Sequence, residues 1–231
     1  MATQLDLQEQ EQLDQLKAFW KQYGNLITWS VTIVLAGFAA WNGWNLWQRD
    51  QASKAGAMFD ELERAAQAGD AERSGRVFAD LKERFPRTTY TEHAALLAAK
   101  VQADRGQTDV ALATLTWLAD SGSDDALRCL AHLRAAGLLM DKKQYDAALS
   151  QLDTAAQGKG ATEFDALLND RRGDVLLAQG KKDEARKAFE AAYKAIDEKL
   201  EYRRLIDAKL TALGAAPGVA AAVAAASGSA Q

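Results

Sequence analysis

The sequence predicts an all-α protein: one N-terminal transmembrane helix, then a solenoid of about four α-hairpins closed by a C-terminal capping helix. Three observations carry this. The stretch from Gln22 to Gln48 holds no charged residue. Small and large apolar residues recur at a 37-residue step from Gly69 onward. Two prolines, abundant alanine and little valine or isoleucine after residue 50 favour helix over sheet, because alanine has the best helix propensity and sheets are built from β-branched residues.

Taken in order, residues 1–24 form a short tail. Leu13, Leu16, Trp20 and Tyr23 fall at spacings of three and four, on one helical face. Residues 25–47 form the span. From Leu26 to Leu46 the chain is mostly apolar, and at 1.5 Å per residue this covers roughly 31 Å, the hydrocarbon thickness of a bilayer. Trp20, Trp29, Trp41, Trp44 and Trp47 bracket it, as indole does at headgroup level. The first 25 residues carry Asp6, Glu9, Glu11 and Asp14 against Lys17 and Lys21, unlike the basic start of a signal peptide. An uncleaved single-pass anchor is therefore expected. Lys17 and Lys21 on one side and Arg49, Lys54 and Arg64 on the other do not choose an orientation by positive-inside counting. Gly37, Ala40 and Gly43 leave a narrow strip on the span where another membrane helix can pack closely.

Residues 48–213 hold the repeats. Gly69-Asp70, Gly106-Gln107, Lys143-Gln144 and Gly180-Lys181 mark four starts. Five residues after each start come Ser74, Ala111, Ala148 and Ala185; nine after come Phe78, Leu115, Leu152 and Phe189. A small residue followed by a large one is what two packed helices need, one for close approach and one to fill the groove. The stretches Gly180 to Ala192 and Gln144 to Leu152 resemble tetratricopeptide repeats, whose unit is about 34 residues, and Gly173 matches that family's small position in the first helix. The aromatic near the start of the first helix is missing, and the terminal proline occurs only as Pro86. Glu198 to Leu213 supplies the cap through Leu200, Ile206, Leu210 and Leu213. Residues 214–231 are an Ala/Gly/Ser-rich tail expected to be mobile.

Chemistry is not legible. The net charge of −4 argues against nucleic acid as a partner. His93 and His132 have no matching ligand spacing, Cys129 stands alone, and no phosphate loop or nucleophile elbow occurs. No enzyme activity, cofactor or metal is expected. What remains is a surface. First helices line the concave side of such arrays, and stepping by 37 gathers His93, Leu96, Lys100, Leu130, Leu133, Met140, Leu167, Asp170, Asp174 and Leu177 into a candidate protein-binding groove. The alternative role for the leucines is packing against neighbouring hairpins.

The acidic tail, Leu16 to Lys21, the span ending Gly43 to Gln48, the divergent hairpins and the closing Leu205 to Leu213 occur in an order that resembles the bacterial YfgM family of ancillary SecYEG translocon subunits, over about residues 10–213. The resemblance implies an inner-membrane protein with a cytoplasmic N-terminus and periplasmic repeats. It implies association with SecYEG and the periplasmic chaperone PpiD, and handover of unfolded secreted and envelope proteins. A cytoplasmic-facing regulatory module that binds a response regulator or another signalling partner is the competing expectation.

Overall fold

The computed structural model describes the backbone of residues 7–215 and the side chains of residues 11–215. Among the described residues there are nine helices and no strand. The chain divides into two compact units, one ending at Ser53 and one beginning at Lys54. The first helix, α1 (Leu7–Gln67), contributes to both.

In the first unit the expected tail and span are one uninterrupted helix. At Gly24 the Trp20 indole, one turn before it, lies 3.2 Å from where a Cβ would stand. The apolar side chains stand uncovered: Leu26, Ile33, Val34, Phe38 and Leu46 are each about two-thirds exposed. Three polar side chains bond to their own helix. Thr28 Oγ1 donates to the Gly24 carbonyl at 2.7 Å, Thr32 Oγ1 to Thr28 at 2.8 Å and Asn42 Nδ2 to Phe38 at 3.0 Å. Threonine and asparagine side chains that bond to their own helix, within a largely apolar surface, suit a helix to hydrocarbon. By length and composition it is long and apolar enough to cross a membrane.

The second unit is built of helical hairpins. The end of α1 pairs with α2 (Ala71–Arg84), α3 (Thr89–Asp104) with α4 (Thr108–Ser121), α5 (Asp125–Asp141) with α6 (Tyr145–Gln157), and α7 (Ala161–Ala178) with α8 (Lys182–Ala195); α9 (Tyr202–Ala212) closes the stack. The turns explain the period. Gly69, Gly106, Lys143 and Gly180 each adopt positive φ, from 60° to 81°, at the same 37-residue step. At every one the same pair of hydrogen bonds ends the first helix: Gly69 N–H to Ala66 and Asp70 N–H to Ala65, then Gly106 to Ala103 and Gln107 to Gln102, Lys143 to Met140 and Gln144 to Leu139, Gly180 to Leu177 and Lys181 to Leu176. This cap satisfies carbonyls that a helix end would otherwise orphan. Helix starts are fixed by Asp70, Thr88 and Asp124, whose side-chain oxygens accept from N–H groups in the first turns of α2, α3 and α5.

Within each hairpin one residue of the first helix faces one of the second. Leu62 and Phe78, Ala99 and Leu115, Ala136 and Leu152, and Gly173 and Phe189 are all buried and keep the 37-residue register. Ser74, Ala111, Ala148 and Ala185 are fully buried at the close-approach step. The stack is sealed between hairpins as well: Glu92, only 1% exposed, accepts from the Ser123 backbone N–H and hydroxyl and so ties α3 to the connection between α4 and α5.

The cap differs from its expected extent. Helix α9 starts at Tyr202, because Asp197 Oδ1 accepts from Lys199 N–H and its carbonyl from Leu200 N–H, which holds the chain in a turn. Leu200, expected on the packed face, is 55% exposed. Ile206 and Leu210 are fully buried, as a capping role requires. Residues 216–231, most of the Ala-rich tail, lie outside the described residues.

Candidate functional site: the concave face of the repeats

First helices of successive hairpins touch, α3 with α5 and α5 with α7, while second helices make no comparable contact among the described residues. The first helices therefore form the inner, concave side. A cavity of about 420 Å³ opens there, walled by Ala99, Lys100, Leu133, Arg134, Leu138 and Arg171 among others.

The structure distributes the expected groove residues unevenly. Lys100 and Leu133 meet in this cavity. His93 and Lys100 are exposed, Leu130, Met140 and Leu167 half-buried, and Leu177 is 38% exposed. Leu96 and Leu133 are 5% and 8% exposed and belong to the cores of successive hairpins. Leu130, Met140 and Leu167 lean on the second of these cores. The leucines thus spend most of their apolar area on the solenoid itself.

The two aspartates serve the cap. Asp170 is 3% exposed and accepts from Tyr202 Oη at 2.6 Å and from Lys209 Nζ at 2.8 and 2.9 Å. Asp174 pairs with the same ammonium at 2.7 Å. Both are engaged between α7 and α9. A buried carboxylate needs such partners, because an unpaired one would carry its full desolvation cost. Burial, with Asp170 and Asp174 beside it, raises the Tyr202 phenol well above its ordinary value near 10.

Of the groups without an assigned role, His132 Nδ1 lies 2.7 Å from Gln151 Oε1, and Cys129 is buried with its thiol pushed up by desolvation. A small apolar role for Cys129 follows. No group of three or more metal-ligating side chains occurs among the described residues. Most of the cavity lining is absent from the expected set, and it includes two arginines, Arg134 and Arg171. Their signal in the sequence is their separation, one 37-residue step, on consecutive first helices.

The fold defines a tetratricopeptide-like α-solenoid with, among the described residues, one helix long and apolar enough to cross a membrane. The tetratricopeptide repeat-like domain family matches residues 17–215. Solved structures agree at the level of fold. TPR-like repeats of a kinesin light chain from Podosopora anserina superpose with a TM-score of 0.56 at 14% identity, covering 70% of this chain and 85% of that one. MamA from Desulfovibrio magneticus RS-1 gives 0.50 at 16%, covering 70% and 89%. Among curated relatives, the ancillary SecYEG translocon subunit of Neisseria gonorrhoeae is 29% identical over 211 residues, 90% of this chain and 98% of that protein. That of Escherichia coli is 32% identical over 190 residues, 81% and 88%. The chain belongs to the family of ancillary SecYEG translocon subunits, within the tetratricopeptide repeat-like group.

Proposed function

We propose that this protein is a non-catalytic scaffold of the bacterial inner membrane, anchored by the helix around residues 25–47, with its N-terminus in the cytoplasm and its repeats in the periplasm beside SecYEG. There it engages the periplasmic chaperone PpiD and unfolded secretory clients and assists their handover. The observation that carries this reading is the length of the match: relatives named as translocon subunits align over 90% of this chain, apolar helix and repeats together. Tethering supports it physically. An anchored solenoid is held at high effective concentration near its partners, so contacts that are individually weak suffice.

Two surfaces carry recognition in this reading. Gly37, Ala40 and Gly43 form the strip for a neighbouring span; a Cβ added at Gly37 or Gly43 would meet nothing within 4 Å, so the strip is open. The concave face presents His93, Lys100, Leu130, Met140, Leu167 and Leu177, backed by Leu96 and Leu133.

Topology is the test. Cys129 is replaced by serine and the exposed Ser150 by cysteine, and cells are treated with a membrane-impermeant maleimide after the outer membrane is opened. Labelling at residue 150 without lysis is the expected result. Labelling only after lysis places the repeats in the cytoplasm and overturns the periplasmic reading in favour of the regulatory one.

A further inference from the structure

We infer that the concave face contains a carboxylate-accepting seat formed by the guanidinium groups of Arg134 on α5 and Arg171 on α7, and that its occupant is an acidic segment of an extended polypeptide. The seat deepens the scaffold reading above and rests on it only for the identity of the natural partner.

The two arginines occupy the same position of consecutive repeats and line the same cavity of about 420 Å³. Gly137, one turn beyond Arg134, brings them together: the Arg171 guanidinium carbon lies 3.7 Å from where a Cβ on Gly137 would stand. Neither has a carboxylate partner among the described residues. Arg134 donates to the Leu96 carbonyl at 3.2 Å, which aims its head and leaves other N–H groups unused. Arg134 is exposed as a whole residue, so its unused N–H groups are open to an incoming acceptor, while partial desolvation pushes its guanidinium somewhat below the ordinary value. Three other repeat arginines are paired within the protein: Arg172 bonds Asp153 at 2.5 Å, Arg73 bonds Glu61 at 2.9 Å and Arg128 bonds the Ala119 carbonyl at 2.8 Å. A guanidinium keeps its proton in proteins, so relief comes only from an anion, best from a carboxylate taken on two N–H groups at once.

The rest of the cavity selects the occupant. Leu133, Leu138 and Ala99 give apolar walls, suited to the flanking side chains of a polypeptide. Asp104 and Asp141 share the cavity and repel a polyanion, while a single carboxylate between apolar neighbours is tolerated.

The test uses full-length protein in lipid nanodiscs and a fluorescein-labelled short peptide with a single central glutamate between leucines, with the same peptide carrying glutamine at that position as its neutral counterpart. By fluorescence anisotropy the glutamate peptide binds roughly tenfold or more tightly than the glutamine peptide, and Arg171→Gln or Arg134→Gln each removes about that advantage. Arg171→Lys retains an intermediate affinity, because it keeps charge but loses the planar fork. Arg172→Gln, on the neighbouring arginine already paired to Asp153, leaves binding unchanged. Arg171→Gln gives up no protein hydrogen bond, so it carries the test even where Arg134→Gln lowers the melting point. Equal binding of the two peptides, or wild-type binding by Arg171→Gln, overturns the seat. Displacement of the peptide by inorganic phosphate at matched concentration overturns the polypeptide assignment. Recovery of SecYEG is measured with the wild-type protein in parallel. Its presence without acid-dependent peptide binding overturns the seat alone, and its absence overturns the scaffold reading.

Discussion

Gly173 lies directly beneath the ring of Phe189: a Cβ built on the glycine would stand under 3.0 Å from three carbons of that fully buried ring. The contact locks α7 to α8 and repeats the small-against-large pairing of the earlier hairpins. Gly173→Ala is expected to lower stability by about 1–3 kcal/mol through overpacking, although alanine is the better helix former by roughly 1 kcal/mol. Adding Phe189→Leu reproduces the Ala136 and Leu152 pair of the preceding hairpin and should recover part of the loss. Thermal melts by circular dichroism check both. A Gly173→Ala protein that melts at or above wild type would show that the contact relaxes freely.

The third turn position invites the opposite change. Lys143 alone among the four equivalent turn residues is not glycine, yet its φ is 60°. A side chain in the left-handed region costs about 1–2 kcal/mol, partly offset by the greater freedom glycine has when unfolded. Lys143→Gly should therefore raise stability by about 0.5–1 kcal/mol in urea melts of the full chain. A loss would mean that the turn gains something from the lysine.

Lys209 serves two carboxylates at once, Asp170 at 2.8 Å and Asp174 at 2.7 Å. Lys209→Met keeps most of the side-chain volume but leaves Asp170 buried with Tyr202 as its remaining partner. The expected cost is about 2–4 kcal/mol. Hydrogen exchange should locate the loosening in α9 and the end of α7; protection unchanged in α9 would argue against its role as the clasp of the cap.

Tyr202 adds a pH signature. Its phenol is raised above its ordinary value near 10 by burial, the hydrogen bond to Asp170, and the charges of Asp170 and Asp174. The folded protein holds this proton more tightly than the unfolded chain, so the contribution is complete below about pH 10 and declines as pH rises beyond it. Tyr202→Phe is expected to be less stable than wild type at neutral pH by about 1–3 kcal/mol, and the difference should shrink above about pH 10. A pH-independent difference in melting would sink the assignment.

Periodicity made much of this fold readable. The four starts read at Gly69, Gly106, Lys143 and Gly180 are the positive-φ turn residues, and Ala148, Ala185, Leu152 and Phe189 are fully buried where the register puts them. A repeat identifies equivalent positions, but not which neighbour each side chain meets. Leu96 and Leu133 were legible as inner-face residues, while their burial depends on how closely successive hairpins pack. Asp170 finds Tyr202 and Lys209, 32 and 39 residues away, through the crossing of α7 and α9, and no local pattern encodes that crossing.

The central claim is association with the translocon through an anchored solenoid. The direct measurement is affinity purification of the tagged full-length protein from mildly solubilised bacterial membranes, with quantitative mass spectrometry against a tagged unrelated single-pass protein. SecY, SecE and SecG should be enriched together with the wild-type chain, and reduced when residues 26–47 are exchanged for an unrelated span. Recovery of the three subunits no greater than in the control would contradict the account.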